Sequence, residues 1–415
     1  MITLSEQSKK IIFIAFFVIF TIGTGYALYY FFFRQLATTP PATDQTQGFT
    51  NTFNPSGARE DVTPTTDTGT GLLPQTTITP VILDTTVQIN PLAPVNVLRD
   101  ELTQAISQGT DGSTRFYSPD DGRFYRINPD GTTTSLSDRQ FFNVDKVDWS
   151  NIKDEAILEF PDGNNIYYNF ETDRQATLPK HWEDFEFAPA DSQIIAKSIG
   201  LDESNRFLVT ADADGNQSTA IYSMGKNFNS VIPSWSPNNV VVGFSKTGTP
   251  QADGAEEIYL LGKNHEQLRS LIVPGSGFQP NWSPDGKKLL YSVYHSRDGY
   301  KPMLWVSDAF GQEVGRNRKK LNINTWADKC VWADKSIIYC GVPVSLPDGA
   351  GFRQESFNAT SDDVYKINLS SGLSEKINTS EQNHPIRNPM LSQDGNQLIF
   401  TDAVTGKLYS YTLAK

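Results

Sequence analysis

Few side chains in this 415-residue chain stand at spacings that serve chemistry. Its only two cysteines, Cys330 and Cys340, flank Trp332-Ala333-Asp334-Lys335. The segments on either side read as two strands of one hairpin, which brings the thiols together across the turn. An even count fits a bridge in an oxidising compartment, so a disulfide is expected rather than two buried thiols. A redox-active pair is not, because the spacing is not Cys-x-x-Cys and no activating neighbour is evident. The four histidines, His181, His265, His295 and His384, lie far apart without the close pairing of metal ligands. Asp212-Ala213-Asp214-Gly215-Asn216 begins like a calcium loop, but its glycine comes early and no Glu stands at the twelfth position. It reads as a hairpin turn, as do Asn128-Pro129-Asp130-Gly131 and Ser118-Pro119-Asp120-Asp121-Gly122. No Gly-x-Ser-x-Gly nucleophile turn occurs. No catalytic residue, cofactor or metal is therefore assigned.

The remaining candidates are basic. Arg316, Arg318, Lys319 and Lys320 form a run in a chain of net charge −12, and a long segment after Val342-Pro343 carries Asp348-Gly349-Ala350-Gly351-Phe352-Arg353. Long loops on a rigid body are common places for specificity. The run together with Arg353 is thus the candidate binding patch, fitting an acidic partner, a phosphate-bearing polymer or lipid headgroups. Its bland alternative is a solvated strand beside a long hairpin. The acidic balance argues against binding to nucleic-acid phosphate.

The elements that must position these residues come from a repeat. Trp282-Ser283-Pro284-Asp285-Gly286 leads into Leu289-Leu290-Tyr291, and Trp235-Ser236-Pro237-Asn238-Asn239 leads into Val240 to Phe244. Weaker copies begin at Trp149, Phe187, Trp332 and Leu391, and Ile106-Ser107-Gln108 opens a further unit. Anchors recur every 40 to 60 residues or so, the spacing of four-stranded propeller blades. Hydrophobic content of 38%, aromatic content of 12% and abundant turn residues suit many short strands. The expected class is all-β, a seven-bladed β-propeller over residues 96–415, with six blades if the first unit only closes the ring. The anchors are expected to pack between blades rather than to form a carbohydrate platform. The last unit lacks a fourth strand, and the β-branched stretch Thr79 to Ile89 is the candidate to supply it.

Upstream, residues 1–10 precede an uncharged stretch of 23 residues, Ile11 to Phe33, long enough to cross a bilayer. Lys9 and Lys10 lie before it and only Arg34 follows closely, which puts the N-terminus in the cytoplasm and the rest outside. The run Tyr29-Tyr30-Phe31-Phe32-Phe33 suits an interfacial belt better than a signal-peptide cleavage site. Residues 34–95 are Thr- and Pro-rich, with too few large apolar side chains for a core, and read as a disordered linker.

The segment Trp282 to Leu289 resembles the repeat core of the TolB-type, WD-related propeller family of bacterial envelopes. The resemblance extends over about Leu102 to Lys415 and is weakest in the first, second and last units. It implies an interaction platform or an accessory propeller of a peptidase, although no hydrolase motif follows here. The family's namesake is soluble and periplasmic with an N-terminal α/β domain, so its partner set is not carried over to a chain with an anchor and tether. The reading is a membrane-tethered, extracytoplasmic propeller that binds a protein or cell-surface polymer. The alternatives are a hydrolase or lyase acting on envelope glycans through scattered channel residues, and a structural part of a secretion or pilus assembly.

Overall fold

The structure, a computed structural model, describes residues 93–377 and 383–413 together with Thr21 and Gly23. Among these residues no helix is long and apolar enough to cross a membrane. The expected span, apart from Thr21 and Gly23, lies outside the described residues, as do the Thr/Pro-rich segment up to Leu92 and the stretch Thr79 to Ile89.

The described strands form seven four-stranded antiparallel sheets. Each is a blade, six of them with strands a to d in chain order, and the first strands of blades 1 to 4 and of blades 6, 7 and 1 touch one another in sequence. The chain is a seven-bladed β-propeller, and the unit opening at Ile106 is its first full blade, with strands Gln104–Gln108, Thr114–Ser118, Arg123–Ile127 and Thr133–Ser135.

Closure differs from the expectation in one element. Blade 7 takes its first three strands from Ile386–Leu391, Gln397–Asp402 and Leu408–Thr412, and its fourth from Val95–Arg99. Val95 pairs with Tyr411 and Val97 with Tyr409. The position assigned to Thr79 to Ile89 is therefore held by the short stretch just before blade 1. The same chain that finishes blade 7 starts blade 1 within a few residues, which ties the ends of the ring together. Arg99 fixes this junction by laying its guanidinium over Phe116 of blade 1, 4.9 Å from the ring centroid.

A four-stranded sheet has two faces to cover, and each is covered by the next blade. Between blades 1 and 2, for example, Tyr117, Phe124, Phe141, Leu158, Tyr168 and Phe170 form one buried cluster. At roughly 25 cal/mol per Å² of buried apolar surface, each such aromatic contributes about 2–3 kcal/mol before entropy is counted.

The repeat motif builds the turn between strands a and b. In blade 5, Ser283 Oγ donates to Asp285 Oδ1 (2.8 Å) and accepts from the Lys288 N–H (2.9 Å). Gly286 adopts φ +63°, and a Cβ there would sit 2.7 Å from the backbone nitrogen of Asn238 in the neighbouring turn. Glycine is required both for the conformation and for that approach.

The anchors link blades as expected, by hydrogen bonds as well as packing. The indole N–H of Trp149 donates to the Ala105 carbonyl of blade 1 at 2.6 Å. Trp282 donates to Ser234 Oγ of blade 4 at 3.1 Å, and Trp332 to Asn281 Oδ1 of blade 5 at 3.0 Å. Trp282 also stacks on Phe244 at 5.4 Å.

Candidate functional site

Two features of the ring stand apart from the repeat: a loop cover over blades 4 to 6 and a charged wall in the channel at blades 2 to 4. The cover is made by the connections between strands b and c. In blade 4 this connection carries Ala252–Gly254, in blade 5 Ser296–Asp298, and in blade 6 the long insertion 344–361 with Ala350–Phe352 and Gln354–Phe357. Blade 5 grips blade 4 through His295 Nε2 on the Asp253 carbonyl (2.7 Å) and Arg297 on the Asp253 carboxylate (3.0 Å).

The insertion is pinned across blade 5 by backbone bonds. Gly349 N–H donates to the Gly299 carbonyl (2.7 Å) and Gly351 N–H to that of Tyr300 (2.8 Å). Phe352 packs edge-on against Tyr294 (4.8 Å) and against Tyr300 (5.0 Å). Gln354 then reaches the channel mouth, accepting from Gln279 Nε2 and donating to Asp328 Oδ2, both at 2.7 Å. Burial pushes the Asp328 carboxyl up, against that hydrogen bond. The outer surface keeps Phe352 57%, Val344 55% and Tyr300 42% exposed.

The residues singled out by sequence separate in space. Cys330 and Cys340 are direct cross-strand partners and form a disulfide. Asp212 to Asn216 is a hairpin turn closed by Asp212 N–H to the Asn216 carbonyl and Gly215 N–H to the Asp212 carbonyl, each 2.8 Å. His384 meets Asp402 (2.8 Å) on blade 7, while His181 and His265 are exposed elsewhere. Among the described residues no group of three metal-ligating side chains is assembled.

The basic run lies at and before the outermost strand of blade 5, Lys319–Lys320, and its members have partners within the chain. Arg316 pairs with Glu313 (2.9 Å), Lys320 with Asp298 (2.5 Å), Lys319 donates to the Leu369 carbonyl (3.3 Å), and Arg318 donates to the Ile272 carbonyl beside Trp305. Arg353 sits apart from the run's strand, exposed beside Phe352 in the insertion.

The charged wall was not visible in any motif. Cavities of about 530, 390 and 410 Å³ line the inner strands, the first sharing Arg387 and Asn388 with the second and Lys146 and Asp148 with the third. On the side of blades 2 and 3, Lys146 reaches Asp184 (2.6 Å), and Lys197 reaches Asp184 (2.7 Å) and Glu183 (3.4 Å). Burial pushes Asp184 up, but the bonds from the two lysines outweigh it and hold the carboxyl below its ordinary value.

Three neighbours go the other way. Burial, reinforced by the Glu159 and Glu186 charges, holds Asp148 well above the usual range. Glu159 is raised by burial against the pull of Lys146, and Glu186 is pushed up to about 7 by burial despite accepting the Trp235 N–H at 2.8 Å. Asp148 Oδ2 and Glu159 Oε1 are buried without a hydrogen-bond partner.

The geometry of the ring recurs in solved structures. Part of the tricorn protease superposes with a TM-score of 0.51 at 12% identity, covering 77% of this chain and 34% of that one. The β-propeller domain of Myceliophteria thermophila Cps50 (Swd1) gives a TM-score of 0.50 at 11% identity, covering 77% of this chain and all of that one (100%). An oligogalacturonate lyase in complex with manganese gives 0.48 at 14% identity, covering 78% and 98%. This chain thus spans about a third of the tricorn protease, and at these identities the likeness concerns the fold alone. No protein-family model and no curated protein matches the chain.

Proposed function

We propose that the chain is a membrane-tethered propeller of the cell envelope that binds a protein or surface-polymer partner through the loop cover of blades 4 to 6. The observation that carries this reading is the pinned insertion. Its backbone is tied to Gly299 and Tyr300, so Phe352 and Tyr300 are held exposed and already ordered, and little conformational entropy remains to be lost on binding. Arg353, exposed beside Phe352, adds positive charge at its rim. Aromatic and arginine side chains are the usual anchors of such contacts.

Location is supported from the sequence. Ile11 to Phe33 is a bilayer-length apolar span with its lysines on the N-terminal side, and the Thr- and Pro-rich sequence between it and the closing strand at Val95 reads as the tether. The Cys330–Cys340 bridge accords with an oxidising compartment. The resemblance of Trp282 to Leu289 to the TolB-type repeat core agrees with a binding role. A photoreactive amino acid placed at Phe352 of the full chain in its native membrane tests the reading. A discrete crosslinked partner is expected there and none from Leu201, a 99% exposed residue in the corresponding connection of blade 3. No crosslink at Phe352, or the same products from both positions, overturns it.

A further inference from the structure

Two consecutive polar side chains face the channel from strand a of blade 7. In a regular strand neighbouring side chains point to opposite sides. Here the register of Ile386–Leu391 against Gln397–Asp402 shifts between Arg387 and Met390, and Asn388 takes φ +49°. A bulge of this kind re-aims the side chains beside it. Arg387 and Asn388 are accordingly both exposed, and both line the 530 and 390 Å³ cavities. Among the described residues no ion pair or hydrogen bond engages the Arg387 guanidinium.

The 390 Å³ cavity lies beneath the insertion, which lends it Gln354, Glu355 and Asn358. Two cations and two carboxylates line it: Arg387 from blade 7, and Lys329, Asp328 and Glu355 from blade 6. Lys329 is committed elsewhere, since its ammonium donates to both oxygens of the buried Asp362 at 2.9 and 2.7 Å. Arg387, Asp328 and Glu355 are all exposed, and among the described residues no ion pair joins them. Asp328 has open surface, yet it lies deep enough among protein atoms for burial to raise its carboxyl. The cavity is thus a recess with an open cation on the blade 7 side and two open carboxylates on the blade 6 side, and its volume falls in the range of about 300–1,000 Å³ common for ligand sites.

We propose that this cavity binds a small zwitterion, a free amino acid or a short peptide, with its carboxylate on Arg387 and its ammonium between Asp328 and Glu355. The guanidinium fork matches a carboxylate through two parallel N–H bonds, and a three-donor ammonium suits two separate carboxylates. Asn358 and Asn388 offer amides for the polar groups between the two charges. A simple anion would meet the repulsion of Asp328 and Glu355, a simple cation that of Arg387, and a neutral ligand would leave all three charges unmatched as it displaced their water. The site goes beyond the reading of the Phe352 surface and does not rest on it.

The test is calorimetric titration of the full chain in nanodiscs with glycine, 4-aminobutanoate and 6-aminohexanoate, each beside the acid and the amine of the same carbon number. The best of the series binds about tenfold or more tightly than either singly charged analogue, as expected for a charged hydrogen bond gained. Arg387→Gln removes the margin over the amine and keeps the margin over the acid. Asp328→Asn combined with Glu355→Gln does the reverse, whereas a variant that merely loosened the fold would lower both margins together. Best binding by glycine marks an α-amino acid as the source, and best binding by a longer member marks the two ends of a short peptide. Absence of binding across the series, equal binding of a singly charged analogue, or margins that do not separate between the two variants overturns the proposal. None of these outcomes bears on the Phe352 surface.

Discussion

The junctions on the two sides of the ring solve the same packing problem differently. Between blades 4, 5 and 6 each anchor supplies an N–H and each preceding side chain supplies an acceptor, so Ser234–Trp282 and Asn281–Trp332 are closed pairs. Between blades 2 and 3 the anchor is Phe187, and Asp148 is left facing Glu159 and Glu186 without a donor. Packing survives the exchange, since Phe187 is 2% exposed within a full cluster. Polar pairing does not. A repeat protein can lose one hydrogen bond of its repeat without losing the blade, and the vacancy falls on the channel.

Predictions follow from trying to exchange the two kinds of junction. The largest effect is expected from Trp332→Ala, which empties a buried site between blades 5 and 6 and leaves Asn281 Oδ1 without its donor. A loss of about 3–5 kcal/mol is expected in denaturant unfolding. Replacing both Cys330 and Cys340 by Ser removes the tie between strands a and b of the same blade and should cost about 2–3 kcal/mol, measured against the oxidised wild type. A smaller loss would mean that the cross-strand pairing alone holds the hairpin.

The pH dependence probes the other junction. Glu186 has a folded-state value of about 7 against an ordinary 4.5, so the folded state binds the extra proton between these limits. Stability from this group is greatest below about pH 4.5 and declines as pH rises towards 7. Glu186→Gln should flatten that decline, on the order of 2 kcal/mol across the window, as read from denaturation midpoints at several pH values. The smallest effect is expected from Trp332→Phe. It keeps the packing but leaves Asn281 Oδ1 without its donor, copying the blade 2 to 3 junction at a cost of about 1 kcal/mol.

Much of the fold was legible in the sequence because its signal is local. Each a–b turn is written in five consecutive residues, and the cysteines flank one such turn, so both the seven blades and the Cys330–Cys340 pairing could be read directly. The closing strand was assigned to the wrong stretch for a physical reason. Val95–Arg99 is an outermost strand with Asn96 and Val97 exposed, so it carries no apolar alternation, whereas Thr79 to Ile89 has the β-branched composition of an inner strand.

The insertion after Pro343 was visible as length, but its grip on Gly299 and Tyr300 is made between blades. The basic run was visible as charge, while its commitments to Glu313, Asp298 and two carbonyls were not. The channel wall was hidden because Asp148, Glu159, Asp184 and Glu186 come from three strands of two blades. One signal was present: an acidic residue before Trp149, with Phe rather than Trp at the next anchor.

At the junction of blades 2 and 3 the missing indole leaves Asp148 Oδ2 without a donor. Carbon-13 NMR titration of the Asp148 carboxyl, in the wild type and in Phe187→Trp, addresses it directly. A wild-type midpoint well above the ordinary aspartate value is expected, falling when the tryptophan is introduced. A wild-type midpoint in the ordinary range, or one that does not move in Phe187→Trp, would contradict it.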